Sequence, residues 1–131
     1  MPANQAAPNP TNAELEILRV LWRLGPSTVR DVHQALNREP PVGYTTVLKL
    51  LQIMAEKGLV SRDETSRSHV YQAAFSPEAT RRRLVSDLLD RAFEGSALGL
   101  VMQALEARPA SREDLQRIRE LLDQSDTGGR P

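Results

Sequence analysis

Between Gly58 and Ser76 the apolar pattern of this 131-residue chain changes period, and that change constrains the fold more than any other feature. Before it, apolar side chains recur every three or four residues in three short runs. Within it, HVYQAAF alternates bulky and polar positions behind the polar stretch SRDETSRS. Beyond Ser76 the helical period returns in three further runs. A period near 3.6 buries one face of a helix and a period of 2 one face of a strand. The order therefore reads three helices, a β-hairpin and three more helices.

The punctuation agrees with the periods. Thr11 and Glu14 have capping-box spacing ahead of AELEILRVLWRL, whose Leu15, Leu18 and Trp22 share a face, and Gly25-Pro26 stops that run. Ser27 is expected to cap TVRDVHQALNR, with Val29, Val32 and Leu36 inward and Pro40-Pro41 as its end. GYTT opens a third helix that Gly58 closes. Ser76-Pro77-Glu78 supplies a cap, a proline at the first helical position and an acid for ATRRRLVSDLLDRAF, expected to end near Glu94. SALGLVMQALEAR stops before Pro109, and Ser111 with Asp114 opens SREDLQRIRELLDQ. Residues 1–10 and 125–131 have no apolar period and are expected to be disordered tails. The expected fold is mainly α with a small β-hairpin wing: a winged helix-turn-helix over residues 11–75, then a three-helix module over 76–124.

Composition excludes several classes. With no cysteine there is neither a disulfide framework nor a thiolate metal site, which fits a reducing cytosol. No apolar run approaches a membrane span, and MPANQAAPNP has no basic-then-apolar signal pattern, so a cytoplasmic protein is expected. Phosphate loops, nucleophile elbows and metalloprotease motifs are missing, and the only histidines, His33 and His69, have no metal-ligand spacing. No enzyme activity, cofactor or metal is expected. Formal net charge is zero, from 17 basic and 17 acidic side chains, so any nucleic-acid contact must rest on local clustering.

The third helix has such a cluster. At 100° per residue, Val47, Leu50, Leu51 and Met54 fall on one side, and Thr45, Lys49, Gln52 and Glu56 on the other. Leu48 and Ile53 sit on the shoulders, with Tyr44 and Thr46 near the start. In a helix-turn-helix the N-terminal residues of the second helix enter the major groove. Threonine hydroxyls and first-turn amides suit phosphate oxygens, Lys49 suits guanine or phosphate, and Gln52 suits adenine. Leu48 or a threonine methyl suits a thymine methyl. Tyr44, Thr45, Thr46, Lys49 and Gln52 are thus the candidate DNA contacts, with Arg62, Arg67 and His69 as wing candidates for the phosphate backbone. The competing reading is an ordinary solvated face on a helical domain.

The last three helices total about 45 residues, too few to enclose their own apolar faces. Leu84, Leu88, Leu98, Val101, Leu105, Leu115, Ile118 and Leu122 are expected to pack against a second copy, whose twofold symmetry matches a palindromic operator. The alternative is a monomer in which these helices fold back on the winged helix. Arg81-Arg82-Arg83 places positive charge at a helix start, against the dipole. Nearby acids or a phosphate just beyond the wing are the two possible partners.

Residues 12–72 resemble the penicillinase-repressor family, the BlaI/MecI/CopY type of bacterial winged-helix regulators. The resemblance is carried by AELEILRVLW with the Gly25 turn, STVRDVHQAL, YTTVLKLLQIMAEKGLV and a wing ending in VYQA. It implies a homodimeric repressor of transcription on inverted-repeat DNA, and a sensor protease as a further partner. In β-lactam-responsive members that protease system leads to cutting between an Asn and a Phe. No Asn-Phe pair occurs here, and the corresponding place is near Gln103-Ala104. The cysteine cluster of copper-responsive members is missing too. A winged helix used only for protein–protein contact is the alternative, and the neutral net charge favours it.

Overall fold

A computed structural model of the chain describes residues 8–36 and 39–128. Most of the expected N-terminal tail, and residues 129–131 of the expected C-terminal one, lie outside the described residues. The elements are α1 (Asn12–Leu24), β1 (Ser27–Thr28), α2 (Val29–Ala35), α3 (Tyr44–Lys57), β2 (Val60–Asp63), β3 (Val70–Ala73), α4 (Pro77–Ala92), α5 (Ala97–Ala107) and α6 (Arg112–Gly128). The chain divides into two units, Met1–Val85 and Ser86–Pro131. The division falls inside α4.

The first unit is a winged helix-turn-helix. Thr11 caps α1 reciprocally: its hydroxyl accepts from the Glu14 amide at 3.2 Å and its own amide donates to the Glu14 carboxylate at 2.9 Å. Gly25, at φ 83°, ends the helix by donating its amide to the Leu21 carbonyl. The next two residues differ from expectation. Ser27 does not cap α2; it is buried in a two-residue strand, pairs with Tyr71, and donates its hydroxyl to the Gly25 carbonyl at 2.8 Å. Thr28 is the cap, in a reciprocal pair with Asp31. The hairpin is therefore two strands of a three-stranded antiparallel sheet, ordered β1-β3-β2, with Arg62 opposite Tyr71 and Val60 opposite Ala73.

The core gathers Ile17, Leu18, Val20 and Leu21 of α1, Val29 and Val32 of α2, Val47, Leu51 and Met54 of α3, and Leu59, Val60 and Tyr71 of the wing. Full burial of such a side chain contributes about 1.5–3 kcal/mol, so Val47, Leu51 and Met54 alone fix α3 by its inner side. Its outer side is left out of that packing. Gly58 then closes α3 in the left-handed region at φ 85°, where a Cβ is disfavoured, and Leu59 donates its amide back to the Met54 carbonyl at 2.9 Å. Trp22 fastens α1 to the exit of the sheet by donating its indole N–H to the Phe75 carbonyl at 2.9 Å.

Glu14 has a second partner. Its other carboxylate oxygen takes the Lys57 ammonium at 2.6 Å, with the Glu14 side chain only 2% exposed. One buried carboxylate thus joins the start of α1 to the end of α3.

Ser76 caps α4 through the Ala79 amide at 3.0 Å, and Glu78 brings an acid to the first turn. Of the three arginines that follow, Arg81 and Arg82 are exposed, while the Arg83 guanidinium lies 5.6 Å from the centre of the Phe75 ring. In the second unit Ser96 caps α5 and Ser111 caps α6. Gly99 has no Cβ to meet Phe93, whose ring would lie 3.3 Å away. Helix α6 continues through Ser125 and Asp126, which the sequence had assigned to the tail. No described side chain from Ser86 onward is buried.

Candidate nucleic-acid interface

The outer face of α3 is as the 100° rotation placed it. Tyr44, Thr45, Thr46, Lys49, Gln52 and Glu56 are exposed above a buried inner face. Its N-terminus differs from those of the other helices. The other five each have a serine or threonine oxygen accepting a first-turn amide. Helix α3 starts at Gly43, with no side-chain cap and no acid in its first turn. Among the described residues, no capping side chain takes its first amides and no first-turn acid offsets the positive end of its dipole.

A groove of about 710 Å³ runs between α2, α3 and the wing. It brings together five of the eight candidate contacts: Tyr44 and Gln52 from α3, and Arg62, Arg67 and His69 from the wing. Thr45, Thr46 and Lys49 do not line it; they occupy the exposed ridge beside it. Helix α2 adds Arg30, His33 and Gln34, which the sequence reading did not include among the contacts. Arg30 and Gln34 are four residues apart and share the face opposite Val32, a signal available in the sequence. That this face looks across at the wing is a tertiary fact with no local signature.

His33 sits at the boundary of α2, and its role is positional. Its Nε2 donates to the Val42 carbonyl at 2.8 Å, and its ring stands edge-on to Tyr44 at 5.9 Å and 81°. It thereby ties α2 to the residue that opens α3.

The wing is ordered from within. Arg62 bonds Glu64 through Nε at 2.6 Å and hydrogen-bonds Tyr71 opposite; the Tyr71 bond first, and Glu64 after it, raise the guanidinium pKa further. At the turn, the Thr65 amide donates to Asp63 at 2.9 Å, and the Ser66 hydroxyl to the Ser68 carbonyl at 2.7 Å. Hydrogen bonds from Thr65, the backbone amide above all, hold the Asp63 carboxyl below the ordinary carboxylate range. Since the folded pKa is depressed, the bond's contribution is complete above the unfolded value and is lost as pH falls through the folded one. The Thr65 amide resonance should therefore titrate with a midpoint below that of an ordinary Asp. A midpoint at or above it would contradict the Asp63–Thr65 bond.

Among the described residues, no group of three or more His, Asp or Glu side chains could hold a metal ion, and no helix is long and apolar enough to cross a membrane.

The penicillinase repressor family profile matches residues 10–124, nearly the whole chain. The chain belongs to the penicillinase repressor family. The match takes in α4, α5 and α6, beyond the residues 12–72 that carried the resemblance. The transcriptional regulator BlaI of Mycobacterium tuberculosis (strain CDC 1551 / Oshkosh) is 33% identical over 106 residues, covering 79% of this chain and 77% of that protein. The penicillinase repressor of Bacillus licheniformis is 21% identical over 117 residues, covering 89% and 91%. A solved CopR repressor structure is 31% identical, covering 52% of this chain and 99% of that one, with a TM-score of 0.44. Members of the penicillinase repressor family are transcriptional repressors and not enzymes.

Proposed function

We propose that this member of the penicillinase repressor family represses transcription as a cytoplasmic homodimer, each copy laying α3 in the major groove of an inverted-repeat operator. The observation that carries the reading is the outer side of α3. It is polar and exposed, its N-terminus is uncapped, and it rests on an inner side where Val47, Leu51 and Met54 are fully buried. In that role Thr45, Thr46 and the first amides take phosphate oxygens, Lys49 and Gln52 address base edges, and Tyr44 is held by His33 at the groove entrance. Arg67 and His69, with Arg62, face the flanking backbone.

The second copy covers the apolar side chains of the C-terminal helices. Leu98 is 70% exposed, Leu121 and Leu122 are each 61% exposed, and Leu88, Val101 and Met102 are near half-exposed. That much large apolar surface on three short helices supports self-association, and a twofold axis supplies the two half-site readers that an inverted repeat needs. A sensor protease is a further proposed partner. Gln103 and Ala104, near the place that corresponds to the cut in β-lactam-responsive members, are both exposed on α5.

Sedimentation and mobility shift test the reading together. The parent should sediment as a dimer and bind DNA selected from a randomised pool, more weakly as salt rises. Leu98→Glu with Leu122→Glu should give a monomer with an intact winged unit and roughly a hundredfold weaker binding to the inverted repeat, as expected when one of two linked half-site contacts is lost. A folded dimeric parent that binds no DNA at low salt would favour the protein-contact reading that neutral charge allows.

A further inference from the structure

We propose that Glu64 is a brake on the wing: it holds the Arg62 guanidinium in the free protein, and a DNA phosphate must take its place. The inference rests on the DNA-binding reading above and adds a residue that opposes it.

Among the described residues, Arg30, Arg62 and Arg67 are the arginines that line the groove, and the ion pair with Glu64 engages Arg62. Among the described residues no acidic side chain lines the groove itself, yet Glu64 reaches from the turn to Arg62 Nε at 2.6 Å. The turn's own bonds keep Glu64 near. Asp63 is engaged by the Thr65 amide and Ser66 by the Ser68 carbonyl, so the hairpin tip holds its shape without the Arg62–Glu64 pair. The other end of Arg62 is fixed by its place opposite Tyr71, whose buried ring belongs to the core. A phosphate approaching the wing meets an arginine already neutralised, beside a carboxylate that repels it. Both partners keep substantial solvent exposure, 33% for Arg62 and 53% for Glu64, so the pair is weak enough for a phosphate to displace.

The test is a double-variant cycle in the full-length protein, with duplex DNA that the parent selects from a randomised pool. Glu64→Gln keeps the size of the side chain and removes its charge. It should tighten binding by about threefold to tenfold per dimer, from two exposed pairs released at once. Arg62→Ala should weaken binding, and Glu64→Gln added to Arg62→Ala should change nothing further, because the brake acts only through Arg62. Unchanged thermal unfolding of all three variants confirms that the wing is intact. Equal tightening in the presence and absence of Arg62 would mean general repulsion and would overturn the brake. So would weaker binding by Glu64→Gln, which would make Glu64 a support that orients Arg62. If the parent itself binds no duplex, the DNA-binding reading fails and the brake with it; a parent that binds while the cycle fails overturns the brake alone.

Discussion

Replacing Lys49 and Thr45 together by alanine should weaken operator binding by about a hundredfold while leaving folding and dimerisation unchanged. Both side chains are exposed on the outer ridge of α3, above inward-facing Val47 and Leu51, so neither contributes to the core. Alanine is the best helix former, and exposed substitutions of this kind shift stability by no more than about 0.5 kcal/mol. The loss on DNA should be far larger, since one good base-edge or phosphate pair is worth about 1–3 kcal/mol and a dimer has two. The salt dependence should also flatten, because each copy loses one cation from the DNA contact. Mobility shift or fluorescence anisotropy across salt concentrations reads the affinity, and thermal unfolding reads the fold. An unfolded double variant would refute the face assignment, and a stable one with unchanged affinity would refute the role of the ridge.

The second lysine should behave in the opposite way. Lys57→Met removes the cation from a carboxylate that is 2% exposed and leaves Glu14 with the Thr11 amide as its remaining partner. Breaking a fully buried ion pair costs about 3–5 kcal/mol, because the stranded charge remains desolvated. Lys57 keeps 31% of its side chain in water, which lowers the expectation to about 2 kcal/mol and several degrees of melting temperature. Adding Glu14→Gln should restore most of the loss, because the neutral amide can still accept from Thr11 and strands no charge. DNA affinity of the folded fraction should not change. If Lys57→Met melts with the parent, the pair is a surface contact and not a clasp between α1 and α3.

These two lysines show what could be read from the sequence and what could not. The rotation of 100° per residue is enough to turn Lys49 outward and Met54 inward, so the α3 ridge was legible at the level of single residues. Lys57 read only as part of the Lys-Gly-Leu stop. Its partner lies 43 residues away, and nothing local marks that pairing. The same division runs through the fold. Six helices and the hairpin followed from period and punctuation, but β1 has two residues, and two residues have no period. Assigning the cap of α2 to Ser27 overlooked a signal that was present: three residues after Ser27 stands Arg30, three after Thr28 stands Asp31, and only the second gives the reciprocal pair. Helix α6 runs past its expected end through Ser125 and Asp126, residue types whose weak propensity favours turns without forbidding a helix. The groove was beyond local reading, because it exists only once α2 and the wing face each other across α3.

The bond between the Trp22 indole and the Phe75 carbonyl gives the molecule an internal optical reporter. Trp22 is the only tryptophan in the chain, and both tyrosines, Tyr44 and Tyr71, lie in the same unit. The unit from Ser86 onward has no such chromophore. Tryptophan and tyrosine signals therefore follow the winged unit alone, whereas far-ultraviolet ellipticity follows the helices of both. Melting curves that separate on dilution would resolve the loss of the proposed partner copy from the melting of the winged unit, without a label on the protein.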